Sequence, residues 1–163
     1  MVVSRYNATI TDRLLAGAMA ESEHRGGVVA DVWHAPGAFE LPMLADHALA
    51  TGAYSGAVTL GCIIRGETSH DQHIASAVAN GVVQVSLKHG MPVTLGVLTV
   101  NTPEQASERA GGRHGNKGRD AMGALLDVVA VTGQAARHLA SGGGVSGVFG
   151  IKGFVNDKAS GTV

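Results

Sequence analysis

The chemically densest stretch of this sequence is Ile64-Arg65-Gly66-Glu67-Thr68-Ser69-His70, where an apolar run ends and a helical pattern begins. A helix start offers free backbone N–H groups and a dipole that favours an anion. Ligands in open parallel sheets gather at the carboxyl ends of strands. Gly66 lets the backbone approach closely, Thr68 and Ser69 bring hydroxyls, and His70 can move a proton near neutral pH. The same residues would also serve as an ordinary capped turn with an exposed histidine. Pro36-Gly37-Ala38-Phe39-Glu40 forms a second candidate, a rigid turn able to present Phe39 and Glu40 to a pocket. Taken alone it reads more simply as a connector with Phe39 in the core. Tyr6-Asn7 offers a stacking ring and an amide, or merely a lead into a helix. Between Glu104 and Lys117, Arg109, Arg113, His114 and Lys117 stand among glycines, a composition suited to phosphate or to a solvated face.

Other classes of chemistry find less support. His24, His34, His47, His73, His89 and His138 lack the Cys/His spacing typical of zinc, so no metal is expected. No Walker or dinucleotide loop occurs, and no cofactor is expected. The 12 basic and 13 acidic residues give a net charge of −1 without a basic stretch, which argues against nucleic acid as a partner. The opening residues lack a signal-peptide pattern, and no apolar stretch reaches the roughly 18 residues of a membrane span. Cys62, the single cysteine, has no internal partner, so a reducing cytoplasmic setting is expected.

The elements that must position these residues follow from periodicity. Val28–Val32, Ala57–Ile64 and Pro92–Val100 read as strands, and the second is apolar almost throughout, as in a parallel sheet covered on both faces. Helical patterns cover Thr11–Arg25, ending at Gly26-Gly27, then Leu41–Leu49, His70–Lys88 and Arg119–Leu139. Thr102-Pro103-Glu104-Gln105 is a helix start with a cap, a proline at the first position and a capping-box glutamine. Alternating strands and helices predict an α/β fold, three layers α-β-α around a parallel sheet of about four strands. With 45% hydrophobic and 15% charged residues in 163, the chain is apolar for a monomer, and a subunit interface would absorb the excess.

Taken together, Ser4-Arg5-Tyr6-Asn7, the 36–40 turn, Gly61 through His70, Gly96-Val97-Leu98-Thr99, Glu104 through Gly111 and Gly115-Asn116-Lys117-Gly118 resemble the lumazine synthases in order and spacing, from about Val2 to about Val131. The resemblance implies a flavodoxin-like fold. It also implies condensation of 5-amino-6-(D-ribitylamino)uracil with 3,4-dihydroxy-2-butanone 4-phosphate to 6,7-dimethyl-8-ribityllumazine, in riboflavin biosynthesis. By the same resemblance, Tyr6 stacks on the pyrimidine and Asn7 shapes the ribityl pocket, while Ala38, Phe39 and Glu40 hold the pyrimidine and ribityl chain. Cys62, Ile63 and Ile64 would contact the ring, Glu67 and Thr68 the sugar phosphate, and His70 would transfer protons. Arg109 would reach the phosphate from a neighbouring subunit, with Lys117 in support. The implied assembly is a homo-pentamer, and the short Gly-rich turn at 111–115 resembles members that build icosahedral shells.

Several positions depart from the family pattern. Leu95 stands where relatives usually place an aromatic covering the pyrimidine, a loss worth about 1 kcal/mol of stacking. Asp71-Gln72-His73 replaces an aromatic-acid-aromatic run. The first strand reads as cut short at Met1, Ser141–Gly144 as a linker and 145–163 as a tail with a strand-like centre. One reading is a circular permutation in which the tail supplies the missing leading segment; the other is a C-terminal extension. These departures also keep open a catalytically weakened scaffold subunit of the same fold.

Overall fold

In the computed structural model, which describes residues 1–140, a parallel four-stranded sheet is flanked by helices on both faces. The chain divides into a unit over Met1–Val129 and a second from Ala130 onward, whose described part is the end of a helix. The elements run β1 (Val2–Ser4), α1 (Ala8–His24), β2 (Trp33–Ala35), α2 (Leu41–Ala50), β3 (Ala57–Ile64), α3 (His70–His89), β4 (Val93–Val100), α4 (Pro103–Arg109), β5 (Ala110–Gly112), β6 (Gly115–Asn116) and α5 (Lys117–Ala140). The strand order is β2-β1-β3-β4, with Val2 paired to both Trp33 and Thr59, and β3 and β4 in register from Ala57↔Val93 to Ile64↔Val100. This is the expected flavodoxin-like α/β fold. The expected linker and the permuted or extended tail fall on residues 141–163, outside the described residues.

The sheet has a core on each face, because successive side chains of a strand point to opposite sides. Along β3, Val58, Leu60 and Cys62 join Leu14, Ala18, Leu98 and Met122 in one cluster. Ala57 and Ile63 join Leu41, Leu49, Val78 and Val82 in the other. The almost wholly apolar run of β3 is thus buried from Ala57 to Ile63, as its composition predicts, and Ile64 at its carboxyl end is half-buried. Helix α3 turns Val78, Val82 and Val85 inward at helical spacing and stops at Gly90, whose φ of 61° suits a residue without a Cβ.

Three boundaries differ from the sequence expectation. Val28–Val32 is not a strand; β2 begins at Trp33, where pairing to β1 becomes available. Helix α1 starts at Ala8 rather than Thr11, with Asn7 as its N-cap. Helix α5 starts at Lys117 rather than Arg119, because the Asn116 carboxamide oxygen accepts from the N–H of Gly118 (2.9 Å) and Arg119 (3.2 Å). The Thr102 cap is present: its hydroxyl accepts from Gln105 N at 3.3 Å, while Gln105 Oε1 reaches back to Asn101 N at 2.9 Å. The Gly-rich 111–115 turn closes the β5–β6 hairpin.

Candidate active site

From β1 the chain passes to β2 on one side and then to β3 on the other, so the strand order reverses between β1 and β3. At such a switch point the loops beyond the carboxyl ends diverge and leave a crevice. A cavity of about 810 Å³ lies there, within the range of roughly 300–1,000 Å³ of small-molecule sites. Its walls come from the ends of three strands. Tyr6 follows β1, Gly37–Glu40 follow β2, and Cys62–Ile64 with Gly66, Thr68 and His70 end β3 and lead into α3.

Asn7 holds this crevice in shape. It is the only non-glycine residue with positive φ among the described residues (59°), and its amide donates to the carbonyl of Cys62 at 2.9 Å. Backbone pairing between β1 and β3 extends only to Val3↔Leu60, so the Asn7 side chain takes over the tie between the diverging strands. Asparagine tolerates the left-handed region better than most residues.

The 36–40 turn is fixed by Glu40, whose carboxylate accepts from Gly37 N at 2.9 Å. That bond leaves Ala38 buried and Phe39 on the cavity wall at 60% exposure, so Phe39 is not a core residue. Tyr6, 70% exposed, lines the same space. Cys62 lines it while almost fully buried, and burial pushes its thiol up to about 11.

His70 opens α3, exposed at the cavity edge, and Ser69 makes no side-chain cap bond, so the helix start presents its early N–H groups. The cavity also takes in Asp71, His73, Ile74 and Ala77. The last three had not been read from the sequence as cavity residues, although their spacing from His70 places them on one side of a helix. The wall is therefore mostly apolar with a few polar groups, an arrangement that fits a flat ring with polar substituents.

Other expected residues stand apart from this cavity within one chain. Glu67 is exposed beside it without lining it. Leu95 lies on β4 at 48% exposure. Arg109, half-buried at the end of α4, donates to the Gln105 carbonyl at 3.2 Å. Lys117 pairs with Asp120 at 2.6 Å. Arg113 is held by Glu108, through its backbone N–H at 2.8 Å and Nε at 3.1 Å.

Comparison with known proteins agrees with this architecture. The family model for 6,7-dimethyl-8-ribityllumazine synthase matches residues 1–132. Among relatives of that name, the protein of Sulfurovum sp. (strain NBC37-1) is 44% identical over 135 residues, covering 82% of this chain and 86% of the relative. That of Helicobacter pylori (strain HPAG1) is 43% identical over 133 residues, covering 80% and 85%. That of Anaeromyxobacter sp. (strain K) is 44% identical over 140 residues, covering 84% and 86%. Nearly the whole described unit, cavity included, thus has its counterpart in one set of proteins: the chain belongs to the 6,7-dimethyl-8-ribityllumazine synthase family.

Proposed function

We propose that this protein condenses 5-amino-6-(D-ribitylamino)uracil with 3,4-dihydroxy-2-butanone 4-phosphate to 6,7-dimethyl-8-ribityllumazine, releasing phosphate and water. The observation that carries this reading is the cavity at the β1/β3 switch point, which gathers Tyr6, Phe39, Glu40, the end of β3, Thr68 and His70 in a family of that name. The reaction is an amine attack on a ketone, elimination of phosphate and ring closure with loss of water. It calls for two substrates held together, a seat for phosphate and a group that moves protons. Tyr6 and Phe39 offer ring faces to the pyrimidine, and Glu40 offers its carboxylate to ribityl hydroxyls. Thr68 and the start of α3 seat the phosphate, with Glu67 beside them. His70 transfers protons. This set of residues favours turnover over the scaffold reading.

Asn7 acts by position, since its amide is spent on the Cys62 carbonyl. Arg109, Lys117 and Leu95 are proposed to serve the site of an adjacent subunit in a homo-pentamer, and pentamers to assemble further into an icosahedral shell. The openness of the cavity edge and the exposed Met43, Val83, Leu87 and Leu95 support a cover by a second copy. The buried free thiol of Cys62 suits a reducing compartment, and the cytoplasm is the proposed setting. Incubation with both substrates tests the reaction: the fluorescent lumazine is expected with one phosphate released per ring formed. Binding of both substrates without ring formation would leave the scaffold reading in its place.

A further inference from the structure

Helix α4, which carries Arg109, is only seven residues long (Pro103–Arg109). Isolated helices shorter than roughly 12–15 residues are marginal, so α4 takes its orientation from tertiary contacts. Ala106, fully buried, seats it on the core but is too small to fix its roll about the axis. The bonds of Thr102, Gln105 and Glu108 stay within the segment 101–113 and leave that roll open as well. A grip from outside comes from Arg13 on α1, 94 positions away: Nη1 donates to the Ser107 hydroxyl at 2.7 Å and Nη2 to the Ser107 carbonyl at 3.2 Å. A guanidinium is a rigid fork, and a cation is favoured among the carbonyls of a helix C-terminus. Ser107 and Arg109 are two residues apart, about 200° around the axis, so a fork closed on Ser107 sets the direction of Arg109 on the opposite side. The Arg13 carbonyl also accepts from Asn116 Nδ2 at 2.8 Å, and Asn116 caps α5. One residue of α1 thus holds the connector at both ends, at α4 before the β5–β6 hairpin and at the start of α5 after it.

We infer that Arg13 is a positioning residue: through its two bonds to Ser107 it orients α4 so that Arg109 is presented to the phosphate in an adjacent subunit's site. This rests on the role proposed for Arg109, and a double-mutant cycle separates the two. The assembled protein is titrated with inorganic phosphate by calorimetry, so the test does not require turnover. Arg13→Ala should bind phosphate about three- to tenfold more weakly than the parent, the range for losing a hydrogen bond or two. Added to Arg109→Ala, the same change should weaken binding no further, because the group it positions has gone. Ser107→Ala removes one of the two bonds without removing a charge and suits a helix. It should shift phosphate affinity in the same direction and likewise have no effect beside Arg109→Ala. Affinity for 5-amino-6-(D-ribitylamino)uracil, titrated separately, should be unchanged in both variants. Parental phosphate affinity in Arg13→Ala and Ser107→Ala, with Arg109→Ala weakened, would overturn the inference alone. An Arg13→Ala loss that persists in full beside Arg109→Ala would also overturn it, since that marks a bare loss of positive charge. Parental affinity in Arg109→Ala, or a parent that does not bind phosphate, would overturn the role of Arg109 and the inference with it.

Discussion

His70 occupies the first position of α3, on the rim of a cavity whose other walls are mainly apolar. The proton transfer proposed for it would contribute to rate more than to binding. Its replacement by alanine should lower kcat by about 10²- to 10⁴-fold, the usual weight of a general acid or base. Steady-state kinetics should show both KM values within a few-fold of the parent. Cys62 gives a prediction of a different kind. Its thiol is raised from 9.0 to about 11 by burial, so the folded protein prefers the proton. That preference stabilises the fold below the unfolded value of 9.0 and is lost as pH rises from there to about 11. Denaturant midpoints measured across this interval should fall, and Cys62→Ser should flatten the Cys62 contribution to that slope. Asn7→Ala removes the tie to the Cys62 carbonyl and leaves a Cβ residue in a left-handed conformation. It should cost about 1–3 kcal/mol in urea unfolding.

The elements were legible in the sequence to the extent that one periodicity dominated. β3 declared itself through eight nearly continuous apolar residues, and α3 through its inward valines. Val28–Val32 misled because β-branched residues favour extended backbone without supplying a pairing partner, and only Trp33–Ala35 lies opposite β1. The start of α5 was missed because the cap belongs to Asn116, inside a glycine-rich stretch whose pattern reads as a turn. At the site, Tyr6, Ala38, Phe39, Glu40, Cys62–Ile64, Thr68 and His70 were legible as three separate motifs, and the sheet order brings them together. Asn7 was legible as an amide at the end of the first strand but not as a strut, since its bond spans 55 positions. Glycine at 96 in β4 was legible as a motif and not as a packing constraint. A Cβ built there would stand 2.6 Å from Leu60 Cδ2 and 3.0 Å from the Thr59 carbonyl oxygen. Gly96→Ala should therefore destabilise by about 1–3 kcal/mol through overpacking, as measured by chemical denaturation.

At the scale of the whole molecule, the cavity is open where a closed reaction chamber would be expected. Tyr6, Phe39, His70 and His73 are exposed, while Arg109, Lys117 and Leu95 stand elsewhere on the same chain. Exposed apolar side chains on α2, α3 and β4 supply a surface on which a second copy can close the chamber. Two half-sites, one on each of two neighbours, reconcile these observations with the reaction proposed. In the proposed homo-pentamer, closed rotational symmetry would give every chain one cavity and let it lend one arginine.

Subunit complementation tests that account most directly. His70→Ala and Arg109→Ala, each purified alone, should be severely impaired. Co-expressed in equal amounts and assembled at random, they should regain about a quarter of the parental rate of lumazine formation, since one site in four draws an intact His70 from one chain and an intact Arg109 from its neighbour. A co-assembled mixture no more active than the mean of the two separate variants would contradict the account.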